Sequence, residues 1–359
     1  MTPLPPNTVI GIIGGGQLGR MLAMAAARLG YGTVILEPHG QCPAAQVASH
    51  HIAAGYEDGA ALDELAAMAD VVTYEFENVP VNAALALAPR VAVWPPARAL
   101  EAAQDRLVEK RFLNGTGVAT APFRAVDSDA DLQAALEAFG WNGVLKTRRL
   151  GYDGKGQKVF RNARAEDCRG VHAAMGGVPL ILEGFVPFTA EISVIAARGQ
   201  DGSIAAYDPA LNVHRDGILH TSTVPCGVPA ATMEAAQASA SAILEALEYV
   251  GVIGVEFFVL EDGSLLANEM APRVHNSGHW TEAACAVSQF EQHIRAVAGL
   301  PLGDPARHSD CVMENLIGDD AGRLAELAGE AGSVIHLYGK AEARPGRKMG
   351  HVTRLTPRG

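Results

Sequence analysis

Residues 146–157 read KTRRLGYDGKGQ. Glycines stand at 151, 154 and 156, cations at 146, 148, 149 and 155, with Tyr152 and Asp153 between them. Glycine lets backbone N–H groups approach a ligand with no Cβ in the way. Successive N–H groups form an anion-binding concavity, and lysine adds a point charge. A flexible cationic loop in an acidic chain points to a phosphate chain as its ligand. The competing reading is a solvated hairpin tip whose glycines serve only to turn.

The rest of the chain sets the context. It has 359 residues, of which 48% are hydrophobic, 19% charged and 6% aromatic, which suits two or three packed domains of a soluble α/β protein. The formal net charge of −12 argues against a nucleic-acid partner and gives local basic clusters more weight as small-anion sites. Cys42, Cys168, Cys226, Cys285 and Cys311 form no CxxC pair and are odd in number. That argues against a disulfide framework or a zinc site and for small buried hydrophobes in a reducing cytosol. The start, MTPLPPNTV, has no basic segment and no long apolar core. No signal peptide or membrane span is expected, and the cytoplasm is the expected location.

Upstream of the loop, strands at 9–13, 33–36 and 71–74 alternate with helices at 20–29 and 60–69. Such alternation predicts a parallel sheet with crossover helices, here a first domain over 1–100. Gly14-x-Gly16-x-x-Gly19 follows the first strand and Glu37 ends the second, the spacing of a dinucleotide-binding fingerprint. A nicotinamide-dependent oxidoreductase with Glu37 on the ribose is therefore a rival reading. A substrate 5′-phosphate at the same helix N-terminus satisfies the motif equally well.

From residue 101 the pattern changes to α+β. A charged helix at 101–113 is followed by strands at 141–147, 158–161, 180–186 and 192–198, then a long alanine-rich helix at 231–247. Strands at 252–260 and 265–270 and a helix at 281–298 complete a second domain over 101–303, in which 118–188 forms a small subdomain carrying the glycine loop. Residues 299–305 read as a linker. The remainder, 304–359, holds strands at 312–317 and 334–338 and a basic tail, too little for an independent core, so it must pack on the rest.

The segment 252–270 carries a second site. Asp262-Gly263 is a two-residue hairpin signal that pairs Glu261 with Ser264 and sets Glu256 opposite Glu269. Opposed Cβ atoms lie ~5 Å apart, where like charges repel. Two carboxylates facing each other in an apolar strand pair call for a shared proton or a cation. Beside a phosphate loop, Mg²⁺ is that cation, since one or two carboxylates plus phosphate oxygens typically hold it. Two solvent-facing glutamates on an edge hairpin are the bland alternative, and a bulged turn would slip the register by one. Asn268 and Glu269 lead into a polar loop with Arg273, His275, Asn276, Ser277 and His279.

Together these segments resemble the ATP-grasp superfamily and, within it, the N5-carboxyaminoimidazole ribonucleotide synthetase family. The resemblance covers nearly the whole chain. It rests on IGIIGGGQLGRM at the start, TYEFENVP at 73–80, the glycine loop, EGFV at 183–186, Glu191, NEMAPRVHNSGHWT at 268–281 and the tail GKAEARPGRKMGH. It implies an ATP-grasp fold with an N-terminal Rossmann-like domain and a small C-terminal β-rich domain. It also implies ATP, bicarbonate and 5-aminoimidazole ribonucleotide as substrates, with Mg²⁺, in a homodimer.

For ATP the resemblance implies phosphate contacts from Arg106 and Lys146 and closure by Gly151, Tyr152, Asp153, Gly154, Lys155, Gly156 and Gln157. Glu183, Gly184, Phe185 and Val186 would line the adenine pocket, partly by backbone, Glu191 would take the ribose hydroxyls, and His214 and Asn268 would lie near the nucleotide. Glu256 and Glu269 would hold the metal. For the ribonucleotide it implies Gly16, Gln17 and Glu75. Tyr152, Asp153, Lys155, Arg273 and His275 would face the reacting centre, with Asp153 as candidate base. Lys340, Arg347 and Lys348 would bind the 5′-phosphate. One departure from the wider superfamily is Ala271, where an asparagine is usual two residues after the second metal carboxylate. A formate-using glycinamide ribonucleotide transformylase, a carbon-chain carboxylase and an inactive regulatory module remain alternatives.

Overall fold

The computed structural model describes residues 2–151 and 156–359. Strands β1 (Val9–Ile13), β2 (Gly32–Leu36), β3 (His50–Ile52), β4 (Val71–Tyr74) and β5 (Ala92–Val93) form a parallel sheet in the order β3-β2-β1-β4-β5. Ile10, Ile12 and Ile13 of β1 are fully buried, as a parallel strand covered on both faces requires. The crossover helix Gln17–Arg28 turns Leu22 and Ala26 into a core shared with Phe290 and Ile294 of the helix Gln289–Val297. That shared core joins the first sheet to the later part of the chain.

Strands β6 (Phe123–Val126), β7 (Gly143–Thr147), β8 (Gln157–Phe160) and β9 (Leu180–Gly184) make a separate antiparallel sheet in the order β6-β9-β7-β8. Leu132 and Leu136 of the helix Asp129–Ala138 cover it, giving a small core with Leu145, Leu180 and Leu182.

The largest sheet has nine strands: β10 (Ala190–Arg198), β11 (Ile204–Ala206), β12 (Ala210–Arg215), β13 (Ile218–Val224), β14 (Gly251–Val259), β15 (Leu265–Ala271), β16 (Ser309–Ile317), β17 (Ser333–Leu337) and β18 (Lys348–Pro357). Its order is β15-β14-β10-β12-β13-β16-β18-β17, with β11 beside β10. The C-terminal strands thus extend the same sheet through β13 and β16, as their shortage of core residues demands. All five cysteines are buried with free thiols. No helix among the described residues is long and apolar enough to cross a membrane.

Three local expectations need correction. The charged helix at 101–113 is two helices, Ala97–Ala103 and Arg106–Gly115. Asp105 breaks it by accepting from the N–H groups of Leu107 (2.9 Å) and Val108 (3.3 Å), the geometry of an N-cap. The helix at 281–298 is likewise split into Thr281–Ala284 and Gln289–Val297, the second capped by Ser288.

The third correction is the hairpin turn. Leu260 N–H donates to Ser264 O, and Val259 faces Leu265, so the register at the turn is one residue off the expected pairing of Glu261 with Ser264. A bulge at Asn268 then restores it, and Glu256 does face Glu269. Contacts from outside the hairpin hold the bulge: Ala267 N–H donates to Ala119 O, and Lys110 Nζ donates to Asn268 O at 2.7 Å.

Candidate functional site

The four-stranded unit, the β14–β15 hairpin, the first turn of the Gln17–Arg28 helix and the start of β18 enclose a cavity of about 510 Å³. Glu256 and Glu269 enter it side by side from paired strands, where directly opposed side chains share a face. Arg106 Nη1 lies 3.0 Å from Glu269 Oε2, and its Nη2 donates to Gly151 O at 3.2 Å. Burial, then the neighbouring Glu269 charge, pushes the Glu256 carboxyl up, whereas Glu269 is held low because Arg106 and Lys146 outweigh its own burial. The two carboxylates therefore divide into one that resists ionisation and one fixed as an anion, as expected of like charges at close range.

Beneath them runs a buried charge layer. Lys110, fully buried, lies 3.4 Å from Glu183 Oε2, and Lys146 donates to the same oxygen at 3.0 Å. Glu183 Oε1 and Asn268 Oδ1 are buried and have no hydrogen-bond partner among the described residues. Glu109 accepts from Met270 N–H at 2.7 Å, and burial, with Glu269 next, pushes it up to about 8. Arg148 clamps Asp105 through Nε (3.0 Å) and Nη2 (2.8 Å), which pins the entry to the glycine loop against the helix Arg106–Gly115.

On the wall formed by β10 and β12, His214 Nδ1 sits 2.6 Å from Glu191 Oε2, opposite a bulge in β13. Burial alone would lower the imidazole's pKa, but the Glu191 hydrogen bond raises it on balance. Val144, Val159, Phe188 and Phe258 make an apolar end to the cavity, with the two phenylalanine rings stacked at 4.6 Å. At the other end Arg273 Nε donates to Glu77 Oε2 at 2.6 Å, and His275 Nε2 lies 3.8 Å from Glu256 Oε1. Burial, then Arg273, holds His275 neutral, with a pKa of about 3.

The cavity therefore gathers Gln17, Arg106, Lys146, Gly151, Gly156, Gln157, Glu191, His214, Glu256, Asn268, Glu269, Arg273, His275 and Lys348 of the expected residues. Tyr152, Asp153, Gly154 and Lys155 lie outside the described residues. Glu183 sits under the floor rather than on the wall. Gly184, Phe185 and Val186 are not on the wall either: Gly184 N–H donates to Pro122 O, and Phe185 stands half-exposed under Arg161. Lys340 donates to Lys348 O at 2.6 Å, and Arg347 turns to Glu342 O at 2.9 Å, so Lys348 alone of the three borders the cavity.

The glycine-rich N-terminus is the clearest correction. Gly16 and Gly19 N–H groups donate to the Glu75 carboxylate at 2.5 and 2.6 Å, and Gly15 N–H donates to Glu37 at 3.1 Å. The anion at this helix N-terminus is the protein's own carboxylate. Gly16 and Glu75 bond to each other beside the cavity. Glu37, the supposed ribose ligand, is instead held by Gly15, Tyr56 and His39.

Sequence reasoning missed Glu77, Asp105, Glu109, Lys110, Phe188 and Phe258. Arg106, Glu109 and Lys110 share one helix face by their i, i+3, i+4 spacing, a signal available in the charged helix. Glu77 and the phenylalanines carry no such local mark.

Residues 111–290 match the ATP-grasp domain, residues 7–104 the ribonucleotide synthetase preATP-grasp domain, and residues 311–358 the phosphoribosylaminoimidazole carboxylase C-terminal domain. N5-carboxyaminoimidazole ribonucleotide synthase of Brucella melitensis is 63% identical over 357 residues, covering 99% of each chain. The crystal structure of N5-carboxyaminoimidazole synthetase from Staphylococcus aureus complexed with ADP superposes with a TM-score of 0.93 at 37% identity, covering 99% of this chain and 95% of that one. The Aspergillus clavatus N5-carboxyaminoimidazole synthase in complex with ADP and 5-aminoimidazole ribonucleotide does so with a TM-score of 0.90 at 33% identity, covering 98% and 94%. The chain belongs to the N5-carboxyaminoimidazole ribonucleotide synthase family of ATP-grasp proteins.

Proposed function

We propose that this chain is an ATP-dependent ligase that carboxylates 5-aminoimidazole ribonucleotide with bicarbonate, giving N5-carboxyaminoimidazole ribonucleotide, ADP and phosphate. The observation that carries the reading is the Glu256–Glu269 pair facing Arg106 and Lys146 across one cavity. In this scheme bicarbonate oxygen attacks the γ-phosphorus of ATP, ADP leaves, and carboxyphosphate breaks down to CO₂ and phosphate. The exocyclic amine then attacks the CO₂ carbon and loses a proton to give the carbamate.

Phosphoryl transfer asks the protein for alignment and charge neutralisation more than for covalent help. Arg106 and Lys146, both on the cavity wall, would contact the phosphate oxygens, and the glycine loop would close over the chain. The oxygen donors of Glu256 and Glu269, which share the cavity lining with Asn268, fit Mg²⁺. When bound, Mg²⁺ supplies a positive charge that offsets charge developing on the transferred group. Glu191 and His214 would orient the ribose, and the apolar end built on Phe258 and Val159 would receive the base. Arg273, oriented by Glu77, would bind an oxyanion through its planar fork. His275, neutral at working pH, can exchange hydrogen bonds there but carries no charge. Asp153 is the proposed acceptor of the amine proton, and Lys155 and Tyr152 the proposed neighbours of the ribonucleotide.

Measuring ADP release with bicarbonate and 5-aminoimidazole ribonucleotide each left out in turn tests the assignment. Release should require both. Full release with formate in place of bicarbonate, or with glycinamide ribonucleotide as acceptor, would move the chain to the transformylase reading. A homodimer in the cytoplasm belongs to the same proposal and rests on the family resemblance; sedimentation equilibrium showing a monomer would remove it.

A further inference from the structure

We propose that Glu282, His336 and His351 form a second metal site, separate from the cavity, that takes one divalent transition ion of the Zn²⁺ class. β17 and β18 pair antiparallel with His336 directly opposite His351, so both imidazoles leave the same face of the sheet. The short helix Thr281–Ala284 lies across that face and supplies Glu282. His336 Nδ1 is 3.0 Å from Glu282 Oε2 and 3.1 Å from Oε1, and His351 Nε2 is 3.5 Å from Oε2. One ligand atom from each of the three lies within 4.8 Å of the others.

A tetrahedral ion with bonds of about 2.0–2.1 Å holds its donors roughly 3.4 Å apart. The His351–Glu282 separation is close to that value, and the widest separation, within 4.8 Å, reaches it by a closure of roughly 1.4 Å shared between two side chains. A single His336 N–H serves one carboxylate oxygen well, whereas it sits almost equally far from both; an ion between the groups would engage all three donors at once. On the far side of His351, Tyr338 Oη is 3.0 Å from Nδ1. A hydroxyl oxygen there can accept from Nδ1–H, which leaves the Nε2 lone pair for a metal, the outer partner that metal-binding histidines usually have. The side chains of His351, His336 and Glu282 are 3%, 11% and 30% exposed, so the site is open on the carboxylate side, where a water can complete the coordination.

The donor set decides the ion. Two imidazoles and a carboxylate suit Zn²⁺, Co²⁺ or Ni²⁺, while Mg²⁺ demands an octahedron of oxygens. The cysteine spacing argued against zinc, but it spoke only to thiolate ligands. None of the three residues borders the cavity. An ion here would brace β17 and β18 against the segment just after His275, and β18 begins with Lys348 on the cavity wall.

The test uses the full chain stripped of metal by a chelator. Zn²⁺ is titrated against a chromophoric chelator in excess Mg²⁺, in the parent and in the Glu256→Gln/Glu269→Gln variant, which lacks the cavity's carboxylate pair. The expected result is one Zn²⁺ per chain in both, weakened about 100-fold by His336→Gln and by Glu282→Gln. Zn²⁺ should also raise the melting temperature of the parent and not that of His336→Gln. If those variants do not fold, the Co²⁺ absorption spectrum of the parent decides: intense visible bands of a four-coordinate ion support the site, and the weak bands of an octahedral ion overturn it. Absence of stoichiometric uptake at micromolar free Zn²⁺ overturns it. So does uptake that survives His336→Gln but disappears with the Glu256→Gln/Glu269→Gln pair.

Discussion

Replacing Glu269 by glutamine separates the part this side chain plays in the fold from its part in the reaction. In the fold its terms oppose each other. The change loses the 3.0 Å contact with Arg106, made by a side chain that is 39% exposed, and such pairs are worth about 0–1 kcal/mol. It also removes the negative charge that, after burial, is the largest influence raising Glu256 to about 7 and Glu109 to about 8. Loss of attraction and loss of repulsion largely cancel, so the stability of the ligand-free protein should change by no more than about 1 kcal/mol. In the reaction nothing cancels. If Glu269 holds the ion that offsets phosphoryl charge, its loss should cost on the order of 10²–10³ in kcat, about 3–4 kcal/mol of transition-state stabilisation. The assay is steady-state ADP release with ATP, bicarbonate and 5-aminoimidazole ribonucleotide saturating and Mg²⁺ varied, alongside urea unfolding of the same preparation. A kcat within roughly tenfold of the parent, or a loss of activity that merely tracks loss of folded protein, refutes the metal role.

Three further outcomes rest on the same geometry. Burial first and Glu269 second hold the Glu256 and Glu109 carboxyls at about 7 and about 8 against an ordinary 4.5, so the folded chain keeps protons that the unfolded chain releases. Their contribution to stability is complete below pH 4.5 and is lost as pH rises through 7 to 8; burial of His275 and His293, held at about 3 against 6.5, acts with the opposite sign but only below pH 6.5. Urea midpoints of the metal-free protein should therefore fall between pH 6.5 and about 8, with the fall flattened by Mg²⁺, and a rise over that range contradicts the burial of these carboxyls. Lys110→Met removes a fully buried cation from Glu183 and Asn268 O; since Lys146 still pairs with Glu183, the loss should be about 2–3 kcal/mol by urea unfolding, and less than about 1 kcal/mol would count against a working buried pair. Phe258→Ala breaks the 4.6 Å stack with Phe188 and should raise KM for ATP about tenfold with kcat nearly kept; an unchanged KM means the base does not sit at the apolar end.

Much of the fold was legible because its signals are local. The alternation of apolar runs with helical periods placed β1 and β4 to the residue and the parallel sheet with them. Most of the expected nucleotide residues meet in one cavity because they came in dense clusters: the glycine loop, the hairpin and the segment 268–279. Reading failed where a single polar side chain redirects the backbone, as Asp105 and Ser288 do in splitting two helices. It failed again at Gly16, where the spacing advertised an anion site without revealing that Glu75 is the anion.

The hairpin marks the boundary between the two kinds of information. By itself the sequence determined that two strands meet at Asp262-Gly263, that each carries a glutamate, and that a glycine-rich cationic loop lies elsewhere, since turn chemistry and strand alternation depend on near neighbours. Only the tertiary structure decided that the carboxylates face each other. The turn slips by one residue, and the bulge at Asn268 takes the slip back because Ala119 and Lys110, more than a hundred residues upstream, hold its backbone. The pairings Glu75 with Gly16, Glu77 with Arg273 and His336 with Glu282 are of the same kind. Segments distant along the chain are brought together by burial of apolar surface, which leaves no periodic trace in either segment alone.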